Sequence, residues 1–183
     1  MKHKVSFLCM FLFLPWFLLA QQGLFESYRS RVGFVSDAPL ELIKASSTQL
    51  RGFLDPQKKT FAFRIPSNSF EGFNSPLQQV HFNENYIEAS QYPEASFRGK
   101  IIEQVDLATD GDFMIRAKGA LLIHGVEQER IIRVRLRLSK GVLFATADFS
   151  ILLQEHDITV PKVVNQKIAE EIFIKVEMEM VKK

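Results

Sequence analysis

The sequence predicts an all-β domain, a sandwich or a closed barrel of about eight or nine strands. Three observations predict it. Five segments alternate apolar and polar residues with period two, turn dipeptides separate them, and 17 phenylalanines stand against one tryptophan and one cysteine. Alternation buries one face of a strand and wets the other. A chain this rich in Phe has the apolar surface for a core.

The elements follow in chain order. Lys2 and Lys4 make a basic start, Val5 to Leu19 runs almost without polar residues, and Ala20 is a small residue before Gln21-Gln22. That order predicts an export signal over 1–20, cleaved near Ala20. The run is shorter than the ~20 residues a spanning helix needs, and Pro15 interrupts it. No later segment is long and apolar enough to span. Cleavage would remove Cys9, Lys2 and Lys4, leaving 21 basic against 21 acidic residues. A neutral chain gives no electrostatic case for nucleic acid, and without cysteine there is no thiol chemistry. Residues 21–183 are the length of one domain.

Weaker strand patterns lie at Tyr28–Ser36, Leu40–Ala45 and Gln49–Asp55. The first strong one sets Phe61, Phe63 and Ile65 against Thr60, Ala62 and Arg64. Ser75-Pro76-Leu77-Gln78 then reads as a helix start, with Ser as cap, Pro at the first position and Gln at the capping-box position. A short helix to about Asn83 follows, with Leu77, Val80 and His81 on one side. Ala95, Phe97, Gly99 and Ile101 alternate with Ser96, Arg98 and Lys100. Phe113, Ile115 and Ala117 alternate with Met114, Arg116 and Lys118. Ile132, Val134, Leu136 and Leu138 alternate with Arg133, Arg135 and Arg137. Val142–Leu152 is a weaker strand, a second helical turn is expected near Lys162–Lys167, and Ile172 to Met180 closes the series. Asp37-Ala38-Pro39, Asp55-Pro56, Asp110-Gly111 and Lys140-Gly141 mark turns, with Asp110-Gly111 the expected tight hairpin.

Three stretches resemble the YceI-like family, the lipocalin-like, polyisoprenoid-binding proteins of bacteria. They are Gln79-Val80-His81-Phe82-Asn83-Glu84-Asn85-Tyr86 running on to Tyr92-Pro93-Glu94-Ala95-Ser96-Phe97, then Gly119-Ala120-Leu121-Leu122-Ile123-His124-Gly125-Val126, and Phe61-Ala62-Phe63-Arg64-Ile65-Pro66 with Ser69-Phe70. The resemblance implies an extended eight-stranded antiparallel β-barrel with one or two short helices and an amphipathic ligand inside. Some members bind a long isoprenoid tail such as a quinone's. The commonest members carry an Arg-Asp pair before the helix. Here that stretch reads Pro76-Leu77-Gln78-Gln79-Val80-His81-Phe82, which marks a divergent branch.

Catalytic constellations are missing from the pattern. There is no Gly-rich phosphate loop and no G-x-S-x-G. His81, His124 and His156 lack ligand partners at short spacing, so they are expected as surface or loop residues, with His124 in a turn and His81 packing the short helix. Glu84 and Glu88 have the chemistry for acid/base work but sit where solvated charges are usual. The arginine stripe, with Arg130 nearby, reads as the wet face of a strand. The expected function is binding, not catalysis, with no cofactor or metal.

The expected ligand wall is Phe61, Phe63, Ile65, Phe97, Phe113, Ile115, Val134, Leu136, Ile172 and Ile174, holding a lipid or isoprenoid. Arg64, Arg98, Arg116, Arg133, Arg135, Lys175 and Glu177 should point outward, because register ties every side chain on a strand to its neighbours' facing. The location expected is the periplasm or the cell exterior. The alternative is a ligand-free envelope interaction or structural module, with a filled barrel and an exposed apolar patch or a homodimer interface, and further off a metal-assisted enzyme using His81, His124 or His156.

Overall fold

A computed structural model describes residues 23–183, so the expected export signal and its cleavage site lie outside the described residues. Nine strands form in order: β1 (Phe25–Asp37), β2 (Leu42–Ser47), β3 (Arg51–Asp55), β4 (Thr60–Pro66), β5 (Glu94–Ile101), β6 (Gly111–Ile123), β7 (Val126–Ser139), β8 (Val142–Leu152) and β9 (Glu171–Lys182). Every pairing is antiparallel, and β9 returns to β1. Eight strands thereby close a barrel, with β7 paired to β8 only over Arg135–Ser139.

The ninth strand comes from an interruption. β2 and β3 both pair with β1, through Val32↔Ser47 to Asp37↔Leu42 and through Phe25↔Leu54 and Glu26↔Phe53. They are one path broken at residues 48–50, opposite a bulge between Ser27 and Arg29. Side chains satisfy the backbone there. Ser30 donates to the carbonyls of Thr48 and Leu50, and Ser27 Oγ accepts from the Gly52 N–H. On the far side of β2 the wall is completed by a 3-10 turn at Ser67–Ser69, tied by Ser47 to Ser69 at 2.6 Å, and by a bridge from Ser46 to Glu71.

The alternation expected from sequence is the alternation of the barrel wall. Phe61 and Ile65 are buried on β4 while Ala62 and Arg64 are exposed. On β7, Ile132, Leu136 and Leu138 are buried while Arg133, Arg135 and Arg137 are exposed. The outward charges pair across strands, as Arg98 with Glu127 at 2.7 Å and Lys118 with Glu129 at 3.1 Å. Such exposed pairs add little stability.

Two hairpins are two-residue turns, His124-Gly125 and Lys140-Gly141. Each has positive φ at both positions (52° and 74°, 52° and 80°), the geometry that matches strand twist and favours glycine at the second site. Asp110-Gly111 is not such a turn. Gly111 opens β6, and Asp110 instead accepts from the Lys140 N–H at 2.9 Å. The connection is the longer loop 102–110, because it folds under the barrel and buries Leu107 in the core.

The helix α1 (Pro76–His81) starts as expected, with Ser75 Oγ accepting from the Gln78 N–H. Gln78 Oε1 accepts from Asn74 rather than from the cap residue. The helix runs on as a π-turn at Phe82–Tyr86, past the expected end near Asn83. The turn after Pro161 is a 3-10 turn at Lys162–Val164. No helix among the described residues is long and apolar enough to cross a membrane.

Candidate functional site

The barrel is hollow. A cavity of about 650 Å³ runs along its axis, within the range of pockets that enclose a small organic ligand. One end is sealed. Phe25 and Leu143 are fully buried there, and Leu107, Leu138 and Phe113 pack with them in the lower core. The other end opens among the 37–41 loop, α1 and the 161–168 segment, which contribute Glu41, Gln78, His81 and Lys167 to the lining. The interior is apolar and its polar groups gather at the mouth.

Nine of the ten residues expected to form the wall line this cavity. Phe61, Phe63 and Ile65 come from β4, Phe97 from β5 and Ile115 from β6. Val134 and Leu136 come from β7, and Ile172 and Ile174 from β9. Phe61 and Phe63 stack with ring centres 6.0 Å apart, and Phe97 leans on Phe61 at 4.9 Å. Phe113 does not reach the cavity. It sits near the start of β6, paired with Leu136 and packed on the lower core cluster beside the sealed end. Its facing follows from alternation, but its depth along the barrel does not.

Residues that alternation did not mark roof the cavity. Phe34, Phe70, Phe73 and Phe82 form an aromatic cluster, with Phe34 stacked on Phe82 at 5.4 Å and Phe73 against Phe82 at 5.1 Å. Phe34 lies in a weakly patterned strand and the other three in aperiodic segments. Only the unusual Phe density between 70 and 82 signals them. Tyr86 lies beside them, and burial pushes its phenol above the ordinary value.

The histidines separate into two places. His81 stands exposed at the mouth. His124 and His156 meet outside the cavity, where His124 Nδ1 donates to the His156 carbonyl at 2.9 Å and His124 Nε2 faces Glu88 Oε2 at 2.7 Å. Glu88 therefore ties the segment after the roof helix to the β6–β7 hairpin rather than standing solvated. His156 is not a surface residue: it is 0% exposed, because the turn after β8 folds it against β7. Burial holds its imidazole below the ordinary value, and Nε2 has no hydrogen-bond partner. Among the described residues, no three His, Cys, Asp or Glu side chains gather as a metal site.

A polyisoprenoid binding domain from Saccharophagus degradans, implicated in plant cell wall breakdown, superposes with a TM-score of 0.74 at 16% identity, covering 88% of this chain and 99% of that one. BcnA of Burkholderia cenocepacia gives 0.67 at 17% identity, covering 82% and 95%. The YceI protein of Campylobacter jejuni gives 0.59 at 14% identity, covering 76% and 84%. Identities this low establish a shared fold. A comparison with curated proteins gives no match. The model of the YceI-like domain matches residues 26–180, nearly the whole described chain, and the chain belongs to the YceI-like family.

Proposed function

We propose that this protein is an exported carrier or store that encloses one apolar or amphipathic lipid, of the isoprenoid class, in its barrel. The observation that carries the reading is the hollow, Phe-lined interior open at one polar-rimmed end. Phe61, Phe63, Ile65, Phe97, Ile115, Val134, Leu136, Ile172 and Ile174 would hold the tail. Burial of apolar surface drives such binding at roughly 25 cal/mol per Å², before the cost of ordering the ligand. The head group would sit at the rim, where polar side chains and water are within reach. A quinone-like tail meets these requirements. Two things support this class: the polyisoprenoid-binding domain among the structural neighbours and the family fold, which is a binding-protein fold. A filled interior, as a ligand-free module would have, is not what the barrel contains.

The test is an organic extract of the purified protein, analysed by denaturing mass spectrometry. A lipid recovered near one per protein supports the reading. Empty protein that also takes up no added isoprenoid would refute it. Export rests on the leader pattern of residues 1–20. It is tested by the intact mass of protein from the envelope fraction, which should begin near Gln21.

A further inference from the structure

The mouth of the cavity carries apolar side chains that stand exposed, Leu77 on the cavity's lip and the others outside its lining. Val163 is 89% exposed, Leu40 66% and Leu77 63%, and Val80 is exposed beside Leu77 on α1. These residues come from three separate segments that the fold stitches together. The Leu40 N–H donates to the Gln166 carbonyl at 2.9 Å. Gln78 Nε2 donates to Glu41 at 2.9 Å, and Asn74 Nδ2 to the Leu42 carbonyl at 3.0 Å. Lone exposed apolar residues are ordinary, but a set converging on one rim marks an interaction surface.

Charge selects the partner. Residues 161–168 read Pro-Lys-Val-Val-Asn-Gln-Lys-Ile, two cations with no acid. Neither Lys162 nor Lys167 forms an ion pair among the described residues. Glu41, the acid that lines the mouth, is engaged by Gln78 and Asn74. Exposed aliphatic tips flanked by free lysines are what the interface of an anionic bilayer takes up: the tips enter the acyl boundary and the ammonium groups meet head-group phosphates. The same rim opens directly onto the apolar cavity.

We propose that the rim formed by Leu40, Leu77, Val80 and the 161–168 segment docks mouth-down on an anionic membrane surface, so that a lipid passes between bilayer and cavity without crossing water. This rests on the lipid-binding reading above and adds where the ligand is loaded. A lipid tail leaving a bilayer through water exposes its whole apolar surface. A mouth seated in the interface removes that barrier.

The test places an environment-sensitive nitrobenzoxadiazole label at the rim in the full chain. Val163→Cys carries it in a Cys9→Ala background, with Met114→Cys on the outer barrel wall as control. The labelled proteins are mixed with phosphatidylcholine vesicles with or without phosphatidylglycerol. The rim label should shift to the blue and brighten with anionic vesicles, and the wall label should not. Lys162→Glu with Lys167→Glu should weaken the response at least about tenfold, on the scale of ~1 kcal/mol per surface lysine. A rim label that stays aqueous, or a wall label that responds equally, overturns the proposal. Uptake of N-phenyl-1-naphthylamine without vesicles reads the cavity separately. Uptake with an aqueous rim label refutes the docking alone. A responding rim label without uptake supports docking and counts against the cavity reading.

Discussion

Phe63→Arg should remove ligand binding and destabilise the barrel, whereas Arg135→Ser should do neither. Phe63 faces the cavity from the middle of β4, stacked on Phe61 and opposite Phe97 on β5. An arginine there meets apolar side chains on every side. The one acidic residue in the lining, Glu41, stands at the mouth and is held by Gln78. An unpaired charge in such a place costs about 3–5 kcal/mol, against ~5–15 kcal/mol for a typical domain. For a chain of this size each kcal/mol lowers Tm by roughly 2–4 °C, so the variant should melt at least about 6 °C lower. Its guanidinium would also take the place of the tail. Arg135 is 65% exposed, and its ion pair with Asp112 at 3.3 Å is screened by solvent. Its loss should cost within ~0.5 kcal/mol. The assay is thermal melting of both purified variants, followed by lipid extraction and mass spectrometry. A Phe63→Arg protein that keeps its lipid and its Tm would refute the inward, apolar reading of β4, as would an Arg135→Ser protein that loses both.

Three further outcomes follow from other parts of the structure. Ala147→Phe adds a ring to the cavity wall on β8 and should lower lipid content while Tm stays within about 4 °C, since it fills space that is already empty; unchanged lipid content would show the ligand lies elsewhere. Burial keeps His156 below its ordinary value near 6.5, so as pH falls the unfolded chain takes up that proton first. Stability from this group is complete above about 6.5 and declines below it by up to about 1.4 kcal/mol per pH unit; urea midpoints taken across that range should fall less steeply in His156→Gln, and identical slopes would refute the assignment. Glu88→Ala breaks the bond to His124 and should cost about 1 kcal/mol, discounted for the part-exposed carboxylate; amide exchange at Ile87 to Tyr92 should quicken, and unchanged exchange would mean the tie does not hold the roof.

Much of the barrel is legible in the sequence. The five strong alternations set which side chains of β4, β5, β6, β7 and β9 face inward, because a strand's geometry repeats every two residues whatever it packs against. The helix start at Ser75-Pro76 and the turns at His124-Gly125 and Lys140-Gly141 were equally local, each requiring only a few neighbouring residues to supply a cap or positive φ. What tertiary structure alone decided depends on distance in three dimensions. Whether inward phenylalanines meet in the middle or leave a cavity is set by the barrel's radius against the summed size of its side chains, which no single strand contains. Phe113 and Phe63 carry the same sequence signal, yet one packs beside the sealed end and the other lines the hollow, because their positions along the axis differ. The aromatic roof joins Phe34 to residues of a distant loop. Leu107 closes the base from a segment without periodicity, and His156 is buried by a turn that folds back on β7. Local pattern determined facing, and the closure of the chain on itself determined depth, emptiness and the place of the mouth.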